Sequence, residues 1–174
     1  MKSIEQQLSS YKSVHLNKHN ITTHFFGIPL IIWSVALLLT YVEFPVEIMA
    51  INVNITLTVL LCGLVLLYYF ILSPGIAVCA VLLFGPIIYS AIYLAHIDNK
   101  MVIALSAFVI GWILQGIGHH FEKAKPAFID DLNQLLIGPL FLVSKAYFLL
   151  GFDKQLAKNI DKNALEQRKA FEEA

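Results

Sequence analysis

The stretch FFGIPLIIWSVALLLTYV, residues 25–42, decides the fold class. It carries no charge, and Ser34 and Thr40 are its only clearly polar side chains. A helix needs about 20 predominantly apolar residues to cross a bilayer, so 25–42 reads as a transmembrane span. Three further stretches share this character. Residues 55–72 form a second span, and Ser73-Pro74-Gly75 then makes a tight break. Residues 76–95 form a third, which Gly85-Pro86 is expected to kink, a distortion that neighbouring helices tolerate in a membrane. Residues 101–118 form the fourth.

Composition agrees with this reading. The chain is 58% hydrophobic and only 14% charged, with a mean hydropathy of +0.73, whereas soluble domains carry about 25% charged residues. Its 174 residues suit a single membrane domain. The formal net charge is zero, which gives no general affinity for nucleic acid. Cys62 and Cys79 both sit in apolar runs and read as small buried hydrophobes. The polar arm of residues 1–24 lacks the early apolar core and small-residue cleavage site of a signal peptide, so the first span is expected to be retained.

Lys and Arg placement orients the spans. The arm carries Lys2, Lys12 and Lys18, and eight basic residues from Lys123 to Lys169 follow the fourth span. The first connection holds Glu43 and Glu47 with no basic residue, and Lys100 stands beside Asp98 in the third. Four spans within 25–118 then leave both termini in the cytoplasm, of a bacterial inner membrane or an endoplasmic reticulum. A fifth apolar stretch, 132–152, has Gly138-Pro139 near its start and Lys145 at its middle. A charge at mid-span costs about 2.5–3.5 kcal/mol on insertion scales, and a crossing there would move the basic tail outside. Within 119–152, this stretch therefore reads as a re-entrant or interfacial helical segment, followed by a charged helical tail at 153–174. The expected fold is all-α: a polytopic membrane protein with about four transmembrane helices, that segment, and helical termini. Tyr68, Tyr69, Tyr89 and Tyr93 read as interfacial anchors, and residues 43–54 as a polar loop. Asn54-Ile55-Thr56 formally matches a glycosylation sequon.

In this topology five of the six histidines collect at one face. His15, His19 and His24 precede the first span, and His119 and His120 close the fourth; His96 lies on the far side as an interfacial residue. On a helical arm His15 and His19 share a face, while His24 needs a bend near Asn20, or ligation from separate elements, to join them. Gln115, His119 and Glu122, spaced four and three apart, form one helical stripe, with His120 turned about 100° away. Gly116 and Gly118 permit close backbone approach, and Pro126 stops or redirects the chain. Several imidazoles with one carboxylate, Glu122, match the donor set of non-haem Fe(II), with coordination positions open for substrate and oxygen. Zinc accepts the same ligands, and composition does not choose between them. The alternative is a membrane metal-handling or transport protein using the histidines as a transit site; transporters, however, place polar groups near mid-membrane.

Two motifs carry a resemblance. His15-x4-Asn20-x3-His24-x2-Gly27-x-Pro29 and Gln115-x2-Gly118-His119-x2-Glu122-x3-Pro126-Ala127 are similar to paired signatures of a family of small membrane proteins. That family is represented by the yeast 2-hydroxy fatty acid dioxygenase of phytosphingosine degradation. The resemblance covers roughly residues 8 to 152, including Gly138-Pro139. It implies an Fe(II)-dependent dioxygenase of fatty acid α-oxidation, which uses O2 to shorten a 2-hydroxy fatty acid by its carboxyl carbon. It implies His15, His24 and His119 as iron ligands, with His19 and His120 as further candidates at less constrained positions. Tyr11, Asn20, Gln115 and Glu122 are candidates to orient ligands or substrate, and Lys123 or Lys125 to attract the carboxylate head. The alkyl chain would lie between the apolar helices. Fatty acid hydroxylases and desaturases use H-x2-H-H clusters, which this chain lacks.

Overall fold

A computed structural model describes residues 2–48, 51–125, 129 and 131–173. Helix α1 (Ile4–Ser13) is opened by a reciprocal cap: Ser3 Oγ accepts the Gln6 N–H and Gln6 Oε1 accepts the Ser3 N–H, which satisfies two otherwise orphaned donors. Helix α2 (Lys18–Leu39) starts at Asn17, whose Oδ1 accepts the His19 N–H. The arm is thus broken at residues 14–17, three positions ahead of the bend expected at Asn20.

Residues 43–56 depart from an all-α fold. Strands β1 (Glu43–Ile48) and β2 (Ile51–Thr56) pair antiparallel, with Glu43 opposite Thr56. The expected polar loop is therefore a hairpin. The alternation Ile51-Asn52-Val53-Asn54-Ile55 has the period of a strand, and Pro45 is tolerated because a two-stranded ribbon has only edges. Asn54 of the formal sequon donates to Glu43 Oε2, and its Thr56 caps the next helix.

Helix α3 (Leu57–Leu72) is followed by α4 (Pro74–Tyr93), separated by Ser73 alone in extended conformation. Pro74 opens α4 because the first helical position needs no N–H, and α4 runs on through Pro86. A 3-10 turn (Leu94–His96) leads to α5 (Lys100–Glu122), closed by Lys123 in the left-handed region at φ 54°. Helix α6 (Gln134–Leu149) and α7 (Lys154–Glu172), the latter capped by Asp153, complete the chain.

By length and apolar composition, α2, α4 with its 3-10 extension, and α5 can each cross a membrane. Helices α3 and α6 have 16 residues each, about 24 Å at 1.5 Å per residue. The second expected span is short because Ile55 and Thr56 belong to β2. Leu64, Leu82, Val102 and Ile113 on α3, α4 and α5 are 62, 69, 65 and 55% exposed, an apolar outer surface of the kind lipid covers.

Two contacts position the histidine end. Helix α6 buries Ile137, Leu140 and Val143 against Leu8 and Tyr11 of α1, Ile76 and Ala77 of α4, and Ile160 of α7. Helices α2 and α5 meet along a glycine seam. A Cβ on Gly118 would lie 2.3 Å from Thr23 Oγ1 and 2.4 Å from Asn20 Oδ1, and one on Gly27 would lie 2.4 Å from Gln115 Nε2. The terminal helices pack on each other: Lys12 pairs with Asp161, and Glu5 accepts from Asn159 and Asn163. At the opposite end Lys100 lies 4.0 Å over the Tyr41 ring, which gives that isolated cation a partner. Tyr89 and Tyr93 are outward-facing, as anchors would be. Tyr69 instead is buried, donating to the Leu136 carbonyl, and Tyr68 Oη accepts from Gln7; these two hydroxyls tie α3 to α6 and α1.

Candidate metal centre

The break at residues 14–17 carries His15 inward. Its ring stacks on Tyr11 at 3.9 Å and 5°, and its Nδ1 lies 2.7 Å from the Tyr11 carbonyl. On α2, His24 Nδ1 lies 2.9 Å from the Asn20 carbonyl. A carbonyl only accepts, so each Nδ1 carries the proton and each Nε2 keeps its lone pair. Those two Nε2 atoms face each other at 3.2 Å. Burial first, and then neighbouring His24, hold the His15 pKa well below the ordinary histidine range, so a proton is a poor mediator between them. A shared cation is the favourable one: with metal–nitrogen bonds of about 2.0–2.1 Å, two cis ligands stand roughly 3 Å apart.

His119, in the last turn of α5, is the third member. Ligand atoms of His15, His24 and His119 all lie within 4.8 Å of one another. The ring centroids are 4.7, 4.9 and 4.9 Å apart, with interplanar angles of 78, 74 and 81°. Three mutually steep rings converge on one point, and the glycine seam is what lets α5 approach α2 closely enough.

Glu122 stands outside this cluster. It is 5% exposed, and its Oε1 accepts the Leu16 N–H at 3.0 Å while Oε2 accepts the Asn17 N–H at 2.8 Å and Asn20 Nδ2 at 3.0 Å. Arg168 Nη1 of α7 is 3.8 Å from Oε1. Both oxygens are thereby committed to the break beside His15, so the expected nitrogen-plus-carboxylate donor set is, among the described residues, three nitrogens. Asn20 links the two systems: its amide serves Glu122 and its carbonyl orients His24.

The other candidates separate clearly. His19 and His120 are exposed beside Phe121, with ring centroids 5.2 and 6.2 Å from it. His96 is exposed at the far end of the bundle. Lys123 caps α5 and, like Lys125, does not line the cavity that opens on the histidines. Pro126 and Ala127 lie outside the described residues.

That cavity has a volume of about 240 Å³. Tyr11, Gln115 and the three histidines line it together with the apolar Ile28, Ile31, Ile32, Leu135 and Pro139. Its remaining lining includes Gln134, at the start of α6, which the sequence motifs did not single out. The available signal was an amide on an otherwise apolar helix, the same signal that Gln115 carries.

Comparisons with known proteins bear on this arrangement. The family model described as "2-hydroxy-palmitic acid dioxygenase Mpo1-like" matches residues 1–150. The chain is similar to the Saccharomyces cerevisiae protein named 2-hydroxy-palmitic acid dioxygenase MPO1, at 33% identity over 165 residues, covering 91% of this chain and 87% of the yeast protein. No solved structure matches.

Proposed function

Because the chain belongs to the Mpo1-like family of 2-hydroxy-palmitic acid dioxygenases, we propose that it is a membrane-embedded Fe(II)-dependent dioxygenase that uses O2 to convert 2-hydroxy fatty acids to acids one carbon shorter. The observation that carries this reading is the pair of acceptor nitrogens facing each other at 3.2 Å, with a third imidazole converging on them at the head of an apolar cavity. His15, His24 and His119 would hold the metal. Fe(II) bound there would leave coordination positions for a 2-hydroxy carboxylate and O2, and supply electrons that no side chain in the cavity can.

The protein's own residues do the rest. The Tyr11 and Asn20 carbonyls hold the His15 and His24 tautomers with Nε2 unprotonated, as outer groups of metal sites do. Glu122 fixes the backbone that carries His15. Ile28, Ile31, Ile32 and Leu135 keep water from the chain end of the substrate, and Gln115 offers an amide to its head. A cavity of about 240 Å³ lies below the roughly 300–1,000 Å³ that encloses a drug-sized ligand, so a long alkyl chain runs out between the helices into lipid. Both termini and the histidine end face the cytoplasm, by the charge rule. Transport is not favoured, because the polar side chains of the cluster gather at one end of the bundle.

The test is direct. Anaerobically purified protein loaded with Fe(II), given 2-hydroxypalmitate and O2, should yield the fifteen-carbon product by mass spectrometry. Iron-loaded, folded protein that forms no shortened product would sink the assignment.

A further inference from the structure

Two buried amides in the cavity have hydrogen-bonding atoms left over. Gln115 is 7% exposed and Gln134 4% exposed. Gln115 Nε2 and Gln134 Oε1 are buried with no hydrogen-bond partner, and both side chains line the cavity beside the histidines. A buried amide atom left unpaired costs about 1–3 kcal/mol, and native proteins rarely keep two in one small space without a use for them. For Gln134 the orphaned atom is Oε1 and not the amide nitrogen; the side chain also contributes, after the Asn133 backbone N–H, to holding the Asp131 carboxyl below its usual range.

The leftover pair is one donor and one acceptor. A 2-hydroxy carboxylate presents the complement on adjacent carbons: carboxylate oxygens that only accept, and a hydroxyl that donates. An unsubstituted fatty acid has the carboxylate alone. We propose that Gln134 is a specificity-determining residue whose Oε1 accepts the substrate 2-hydroxyl, while Gln115 Nε2 donates to the carboxylate. This rests on the functional reading above and adds to it the origin of selection for the hydroxy acid. With an unsubstituted acid bound, Gln134 Oε1 stays buried and unpaired, and a site built around a substrate hydroxyl rejects the analogue that lacks it for that reason.

Trp112 lines the same cavity, so its emission reports on occupancy once Trp33 is replaced by Phe. Metal-free protein in that background is titrated with 2-hydroxypalmitate and with palmitate. The unaltered cavity should prefer the hydroxy acid by about tenfold or more, on the order of one hydrogen bond. Gln134→Met, similar in length but without the acceptor, should bring that ratio close to one, with palmitate bound at least as tightly as by the parent because no acceptor is left unpaired. That binding also shows that the variant is folded. Gln134→Asn should restore part of the preference, and Gln115→Met should weaken both acids alike. Retention of the full preference in Gln134→Met overturns the role of Gln134, as does a parent protein that binds both acids equally. In either case iron-loaded parent protein that still shortens 2-hydroxypalmitate leaves the functional reading standing, and iron-loaded protein that does not takes both down.

Discussion

His15 and His24 owe their usefulness to backbone carbonyls one helical turn upstream, Tyr11 and Asn20, that take the Nδ1 protons. Replacing His15, His24 or His119 with Ala removes one of three converging nitrogens, and stoichiometric iron, measured by elemental analysis of anaerobically loaded protein, should be lost. Alanine at His19 or His120 should leave iron content unchanged, since both rings are exposed beside Phe121. Glu122→Ala strands the Leu16 and Asn17 N–H groups. It should lower stability in thermal unfolding by at least about 2 kcal/mol and metal affinity by roughly 10- to 100-fold, as loss of an outer support does. The histidines were legible because imidazole is conspicuous at the ends of apolar runs. The job of Glu122 was not: its spacing from His119 suggests a shared stripe, but its acceptor capacity is taken by backbone donors about a hundred residues upstream, which no local pattern displays.

At the scale of elements, the α2–α5 seam is the determinant of the site. Gly118→Ala puts a methyl group where the Thr23 and Asn20 side chains already stand, and neither is free to swing away, since Thr23 Oγ1 donates to the Asn20 carbonyl and Asn20 Nδ2 donates to Glu122. Overpacking of this kind costs about 1–3 kcal/mol, and the separation of His24 from His119 should reduce iron loading more than the melting temperature suggests. Gly63→Ala, on α3 with open space around it, is the matched control and should be neutral or stabilising by up to about 1 kcal/mol through helix propensity. The apolar helices were legible because their runs are long and uncharged. The hairpin was missed because its polar Asn and Glu residues outweighed the period-two pattern of Ile51, Val53 and Ile55. Tyr68 and Tyr69 look like membrane anchors in sequence, and only the docking of α6 and α1 on α3 shows them inside.

For the whole molecule, the packing of α1 on α7 constrains the topology. Two helices that touch lie on the same side of the bilayer, so the chain between them crosses an even number of times. Among the described residues three helices have full spanning length, so an even number needs one of the two 16-residue helices, α3 or α6, as a further crossing. We propose α3, because α6 carries the charge of Lys145. Tags at the two termini, probed with protease in sealed vesicles, should be accessible from the same side; tags on opposite sides would rule out this topology. The Glu122 clamp also bears on how the protein is made. Its carboxylate joins residues 106 apart in the chain, so at about 5–20 residues per second of synthesis the His15 segment waits roughly 5–20 s for its anchor. The three-histidine cluster is therefore completed only after α5 has been made, and a chain stalled before His119 cannot assemble it.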